Sequence, residues 1–207
     1  MKIDLDNIKN IIFDLGNVLL NLDFDASIKA FQELGLEKDV LNRQQAYVDP
    51  AFYNLEIGKI SPKEFRIRIR EIINNPEATD QLIDDAWYAM ILDIPANRVN
   101  ILQELRKKYN VYLFSNTNKI HIDRLLSEFY TQYGIDFPSL FVRVFYSYEI
   151  HERKPDLNSY KKVIELSKVN PQETIFIDDL EKNIIGAEKA GMKTYWLNNG
   201  MEMAELF

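Results

Sequence analysis

Two apolar runs in this chain end on acids. Ile11-Ile12-Phe13 leads straight into Asp14, and Ile175-Phe176-Ile177 leads into the pair Asp178-Asp179. A third run, Val111 to Phe114, ends in Ser115-Asn116, and a polar turn further on carries Arg153-Lys154-Pro155. Carboxylates brought side by side repel, and one or more resists ionising unless a cation joins them. Oxygen ligands without Cys or His point to a hard divalent ion, Mg2+. A site with that ion, a lysine and a hydroxyl–amide pair suits a phosphoryl group. The ion and Lys154 would neutralise its charge, while Ser115 and backbone amides donate to its oxygens. A carboxylate left facing phosphorus can attack it, giving an aspartyl phosphate.

Positioning such groups requires elements that end together. Short apolar runs bounded by turn residues read as buried strands. They fall at 11–13, 111–114, 143–146, 174–177 and 193–197, and between them lie helical patterns at 96–108, through Ile122, Leu125, Leu126 and Phe129, at 157–168 and at 181–190. Strands alternating with helices imply a parallel sheet with right-handed crossovers, whose carboxyl ends converge on one crevice. The stretch from 20 to 93 is different. A short helix over 25–35 stops at Gly35, and the rest reads as helical, with Ser61-Pro62-Lys63-Glu64 a strong helix start. Arg66, Arg68 and Arg70 read as a solvated face, and Ile94-Pro95 as a boundary. The expected fold is α/β: a doubly wound parallel-sheet, Rossmann-like core from 1–19 and 94–207, with a small α-helical insert at 20–93.

Composition narrows the partners. The chain has 207 residues, of which 46% are hydrophobic, enough to build a sizeable core. A net charge of −7 argues against nucleic acid. The absence of Cys excludes disulfides and thiolate metal sites. No apolar run approaches a membrane span, and the acids near the N-terminus do not fit a signal peptide. A cytoplasmic protein, monomeric or homodimeric, acting on a small molecule is expected. His121 and His151 are isolated in sequence, and Tyr47, Phe52, Tyr53, Trp87 and Tyr88 read as packing residues of the insert, with the lining of a substrate pocket as the alternative.

Over nearly its whole length the chain resembles the haloacid-dehalogenase-like hydrolases. Phe13-Asp14-Leu15-Gly16-Asn17-Val18 is similar to that family's first motif, Phe114-Ser115-Asn116-Thr117 to its second, Arg153-Lys154-Pro155 to its third, and Phe176-Ile177-Asp178-Asp179-Leu180-Glu181-Lys182-Asn183 to its fourth. The resemblance implies Asp14 as nucleophile, Lys154 as the group stabilising it, and Ser115, Asn116 and Lys154 as phosphate-binding residues. It implies Mg2+ held by Asp14, the Gly16 carbonyl and Asp179, with Asp178 and Asn183 around the metal and its water. The helical insert resembles the family's small cap, which closes over the site and selects substrates. The Asp-Leu-Gly-Asn-Val form is most similar to small sugar-phosphate phosphatases, so the expected activity is Mg2+-dependent hydrolysis of a small phosphorylated metabolite.

One departure bears on mechanism. Phosphatases of this family usually carry a second aspartate two residues after the nucleophile, where this chain has Gly16. General acid–base catalysis contributes on the order of 10²–10⁴-fold. The enzyme should therefore favour good leaving groups, such as anomeric or acyl phosphates, or borrow another acid, with Asp23 and Asp178 as candidates. The competing readings are a weakly active or non-catalytic phosphoryl-binding module and a 2-haloacid dehalogenase, which the paired acids fit poorly.

Overall fold

The computed structural model of the chain describes residues 3–40, 42–198 and 200–207. Strands β1 (Asn10–Phe13), β2 (Asn110–Ser115), β3 (Arg143–Tyr146), β4 (Thr174–Asp178) and β5 (Lys193–Trp196) form one parallel sheet in the order β3-β2-β1-β4-β5. All four residues of β1 are buried because helices cover both faces of the sheet.

On one face, Ile11, Phe13, Val111 and Leu113 pack against α6 (Ala96–Leu105) through Val99 and Leu102, and against α7 (Lys119–Tyr133) through Ile122 and Phe129. On the other, Ile12, Phe114 and Phe176 meet α9 (Leu157–Ser167) through Tyr160 and Val163, and α10 (Glu181–Lys189) through Ile184 and Ala187. The period-2 alternation along each strand thus divides its side chains between two cores.

Helices α1 (Phe24–Leu34), α2 (Arg43–Ala46), α3 (Pro50–Glu56), α4 (Pro62–Ile72) and α5 (Asp80–Tyr88) lie between β1 and α6. They share a separate apolar cluster that includes Phe31, Phe52, Phe65, Ile69, Ile83 and Trp87. The capping box at α4 forms as its sequence predicts: Glu64 N donates to Ser61 Oγ, and Ser61 N donates to the Glu64 carboxylate. The arginines of α4 are ion-paired rather than simply solvated, Arg66 with Asp84 at 2.6 Å and Arg68 with Asp49 at 2.8 Å.

The chain enters and leaves this helical region through two segments that run side by side. Leu22 bridges Ile91, and Asn21 N donates to Asp93 O and Asp23 N to Met90 O, each at 2.9 Å. The turn after β3 holds an additional short helix, α8 (Ser147–Ile150), which its four residues are too few to announce by periodicity. Among the described residues, no helix is long and apolar enough to cross a membrane.

Candidate active site

The sheet register brings the motifs level. Phe13 pairs with Leu113 on one side and Ile177 on the other, so the next residues, Asp14, Phe114 and Asp178, emerge together at the carboxyl ends of the strands. This is the point where the strand order reverses about β1, and it opens as a crevice. Asp14 N donates to Ile177 O at 2.9 Å, continuing the ladder one residue past β1.

Lys154 reaches this point from the loop ahead of α9. It is 1% exposed, with Nζ 2.7 Å from both Asp14 Oδ1 and Asp178 Oδ2. Its Nζ also lies 5.2 Å from the ring centres of Phe114 and Phe176. Burial opposes the charge on Lys154, but the two carboxylates outweigh it and hold the ammonium above the ordinary lysine range. Burial pushes the Asp14 carboxyl up to about 8 against the pull of Lys154, with Asp178 adding to the rise. Asp179 is raised too, mainly by burial. For both carboxyls burial is the larger cause and the neighbouring Asp178 the smaller, with Lys154 pulling the other way.

The loop carrying Lys154 is fixed from two directions. Asn116 Nδ2 donates to Lys154 O, and Lys154 N donates to Asn116 Oδ1, each at 2.9 Å. Gly186 lets α10 come close: a Cβ there would lie 2.6 Å from the Tyr160 ring and 2.8 Å from Pro155 O. Tyr160 in turn donates to Asn183 O at 2.8 Å. Ser147 Oγ ties the ends of β2 and β3 by accepting from Thr117 N and donating to Thr117 O.

Asp178 is fully buried, and its oxygens accept from Leu180 N, Asn183 Nδ2 and Lys154 Nζ. Asp179 Oδ2 accepts from Asn17 Nδ2 at 3.1 Å. Asn17 takes a positive φ of 55°, which asparagine tolerates better than most residues. Asp14, Asp178 and Asp179 each offer a carboxylate oxygen within 4.8 Å of the others. Asn183 Oδ1 is buried with no hydrogen-bond partner. A cluster short of positive charge beside an orphaned acceptor fits a hydrated divalent cation. Asp14 and Asp179 are the better ligands, since Asp178 is already surrounded by donors. Ser115 is 3% exposed and its hydroxyl makes only a 3.5 Å contact with Asn116 O, so it can turn to a ligand.

The sequence-predicted residues Asp14, Gly16, Ser115, Asn116, Lys154, Asp179 and Asn183 all border one cavity of about 440 Å³, while Asp178 lies beneath it. The helical region contributes Tyr47, Phe52, Tyr53, Glu56 and Trp87 to the same space. Arg153 joins the two sides, 2.7 Å from Glu56 and 5.1 Å over the Tyr53 ring. Glu56 was not readable as a site residue, whereas the four aromatic residues had pocket lining as an open alternative. Asn17 had a signal in its place beside the acid-ended strand. His121, which borders the cavity with Nε2 3.1 Å from Trp87 O, had none. His151 does not border the cavity, and its Nδ1 lies 2.9 Å from Ile57 O. Asp23, considered as a substitute acid, instead caps α1: its Oδ1 accepts from Asp25 N and Ala26 N.

Known proteins resemble this chain in sequence and in fold. A family model described as haloacid dehalogenase-like hydrolase matches residues 11–197. The D-ribitol-5-phosphate phosphatase of Bacteroides thetaiotaomicron is 31% identical over 195 residues, 94% of each chain. A glyceraldehyde 3-phosphate phosphatase of Methanopyrus kandleri is 28% identical, covering 93% of this chain and 85% of its own. A crystal structure of a family enzyme from Bacteroides thetaiotaomicron, in complex with magnesium and inorganic phosphate, superposes with a TM-score of 0.88 at 37% identity, covering 97% of this chain and 99% of that one.

Proposed function

The chain belongs to the haloacid dehalogenase-like hydrolases, and from that we propose that it is a Mg2+-dependent phosphatase of a small phosphorylated, polyhydroxylated metabolite. The observation that carries this reading is the Lys154 ammonium, held 2.7 Å from both Asp14 and Asp178 at the floor of a cavity that Ser115 and Asp179 also border. The named relatives are phosphatases of D-ribitol 5-phosphate and glyceraldehyde 3-phosphate, and the magnesium and phosphate complex of the Bacteroides family enzyme supports the same cofactor.

In this reading Asp14, the Gly16 carbonyl and Asp179 would hold the ion, and Asn183, with a buried unpartnered Oδ1, would accept from a water beside it. When bound, the ion supplies positive charge to the phosphoryl oxygens. Ser115 donates to a phosphoryl oxygen and Lys154 balances the charge of another. Asn116 acts through Lys154, whose backbone it grips. Asp14 attacks phosphorus and carries the phosphoryl group as an aspartyl phosphate, which water then hydrolyses. Asp178 keeps Lys154 charged and in place. Residues 20–93 form the cap over a core made of 1–19 and 94–207. It swings on the paired segments at Leu22 and Ile91 and admits or excludes water.

Phosphate release from p-nitrophenyl phosphate and a panel of sugar phosphates, with Mg2+ or with EDTA, tests this directly. Mg2+-dependent turnover by wild type that is lost in Asp14→Asn supports it. No release from any of these compounds overturns it.

A further inference from the structure

Beyond the phosphoryl site the cavity lining is of two kinds. Leu20, Leu22, Met90 and Ile91 are apolar, whereas Tyr53 and Glu56 of α3 and Arg153, the residue before Lys154, are polar. Tyr53 and Glu56 stand three residues apart and so share one face of α3, while Phe52 and Leu55 pack in the apolar cluster of the helical region. Arg153 ties the polar face to the core. Its Nη1 lies 2.7 Å from Glu56 Oε2, and its guanidinium lies 5.1 Å over the Tyr53 ring. Helix α3 is also pinned at both ends. Asp49 caps Ala51 N and accepts from Arg68 at 2.8 Å, and His151 Nδ1 lies 2.9 Å from Ile57 O. Glu56 therefore sits on a fixed element, in register with the turn that carries Lys154, as a recognition group must. The pair stays open to a ligand: the Arg153 and Glu56 side chains keep 24% and 22% of their surface exposed.

A carboxylate has more lone pairs than one guanidinium N–H can fill, and a guanidinium has more N–H groups than one carboxylate can take. The pair therefore presents acceptors beside donors while its charges cancel. A row of neutral hydroxyls matches that pattern, and hydrogen bonds to ionised groups are the strong ones. A second phosphate or carboxylate on the substrate would face Glu56 and would have to break the pair. The apolar side chains suit the C–H edge of the same carbon chain. We propose that Glu56, positioned by Arg153, is a specificity-determining residue that accepts hydrogen bonds from substrate hydroxyls. The enzyme then selects neutral polyhydroxylated monophosphates over alkyl phosphates and over substrates with a second anionic group. This rests on the phosphatase reading above and deepens it. Lys182 also borders the cavity and is the group that a second anion would use instead.

The test compares kcat/KM for D-ribitol 5-phosphate, a hexose 6-phosphate, n-pentyl phosphate, an aldonic acid 5-phosphate and p-nitrophenyl phosphate. In wild type the better of the two polyol phosphates should exceed n-pentyl phosphate by about 10–10²-fold, the worth of one hydrogen bond to a charged group. Glu56→Ala should lower the ratio of that polyol phosphate to p-nitrophenyl phosphate by a similar factor, chiefly through KM. Glu56→Gln keeps one acceptor oxygen and should restore part of the ratio. A pair that only holds the helical region in place would move every substrate by the same factor, so an unchanged ratio in Glu56→Ala overturns the proposal. Equal use of n-pentyl phosphate and the polyol phosphates by wild type overturns it as well, with no variant required to fold. A preference for the aldonic acid phosphate that disappears in Lys182→Met assigns the subsite to a second anion and overturns it too. In each of these cases p-nitrophenyl phosphate is still hydrolysed and the phosphatase reading stands. Absence of release from every compound overturns both.

Discussion

Asn116 grips the backbone of Lys154 on both sides, donating from Nδ2 to its carbonyl and accepting at Oδ1 from its N–H, each at 2.9 Å. A side chain bonded in this way has one hydrogen and one lone pair left, so its main effect on a reaction is to set where Lys154 stands. Asn116→Ala should lower kcat by about 10²-fold, the scale of a 1 Å misplacement, with little change in KM. It should also cost about 1–3 kcal/mol of stability for two lost hydrogen bonds. Steady-state kinetics and urea unfolding measure both. A rise in KM at constant kcat would make Asn116 a direct phosphate ligand instead.

Asp14 and Asp178 share the single ammonium of Lys154, so its removal leaves buried carboxylates with no cation between them. Lys154→Ala should be inactive and should lose about 3–5 kcal/mol, as when one partner of a buried pair is deleted. Lys154→Ala together with Asp178→Asn should recover part of that stability without recovering activity. Urea melts of the two variants decide this.

Mg2+ should stabilise the folded protein because only the folded chain gathers Asp14 and Asp179 within reach of one ion. At 100 times its dissociation constant the gain is about 2.7 kcal/mol. Asp179→Asn should reduce the gain sharply. Both carboxyls are raised in the metal-free protein, so protons compete with the ion and the stabilisation should weaken as pH falls. Thermal melts with and without Mg2+ across a pH series check both points.

His121 makes stability fall with acid. Burial lowers its imidazole from 6.5 to about 4, so between these values the unfolded chain binds a proton that the folded chain does not. Its contribution is therefore fully present above pH 6.5 and declines as pH falls toward 4, by ~3 kcal/mol in total at 1.36 kcal/mol per unit. His121→Asn should flatten that part of the stability–pH curve. An unchanged slope would place the acid sensitivity elsewhere.

The order of elements and the fold class were legible because local signals agreed with one another. Apolar runs of strand length ended in polar residues, helices carried caps such as Ser61 with Glu64, and strand–helix alternation leaves few topologies besides a doubly wound parallel sheet. That topology then brings Asp14, Ser115 and Asp178 to one edge of the sheet, since parallel strands all end on the same side. Roles set by side-chain packing were not legible. The Asp23 cap on α1 is a local signal of the kind Ser61 gives, but nothing local says that Asn116 holds Lys154 or that Glu56 reaches Arg153 across the cavity. Gly16 is the clearest case. From sequence it is a missing side chain, and in the structure a Leu22 methyl lies 2.7 Å from where its Cβ would be. That contact joins residues on either side of a turn whose path is fixed by pairing with residues some seventy positions away, at Met90, Ile91 and Asp93. Periodicity and capping act over one or two turns of chain. Which atom occupies a given void is decided by the packing of the whole molecule.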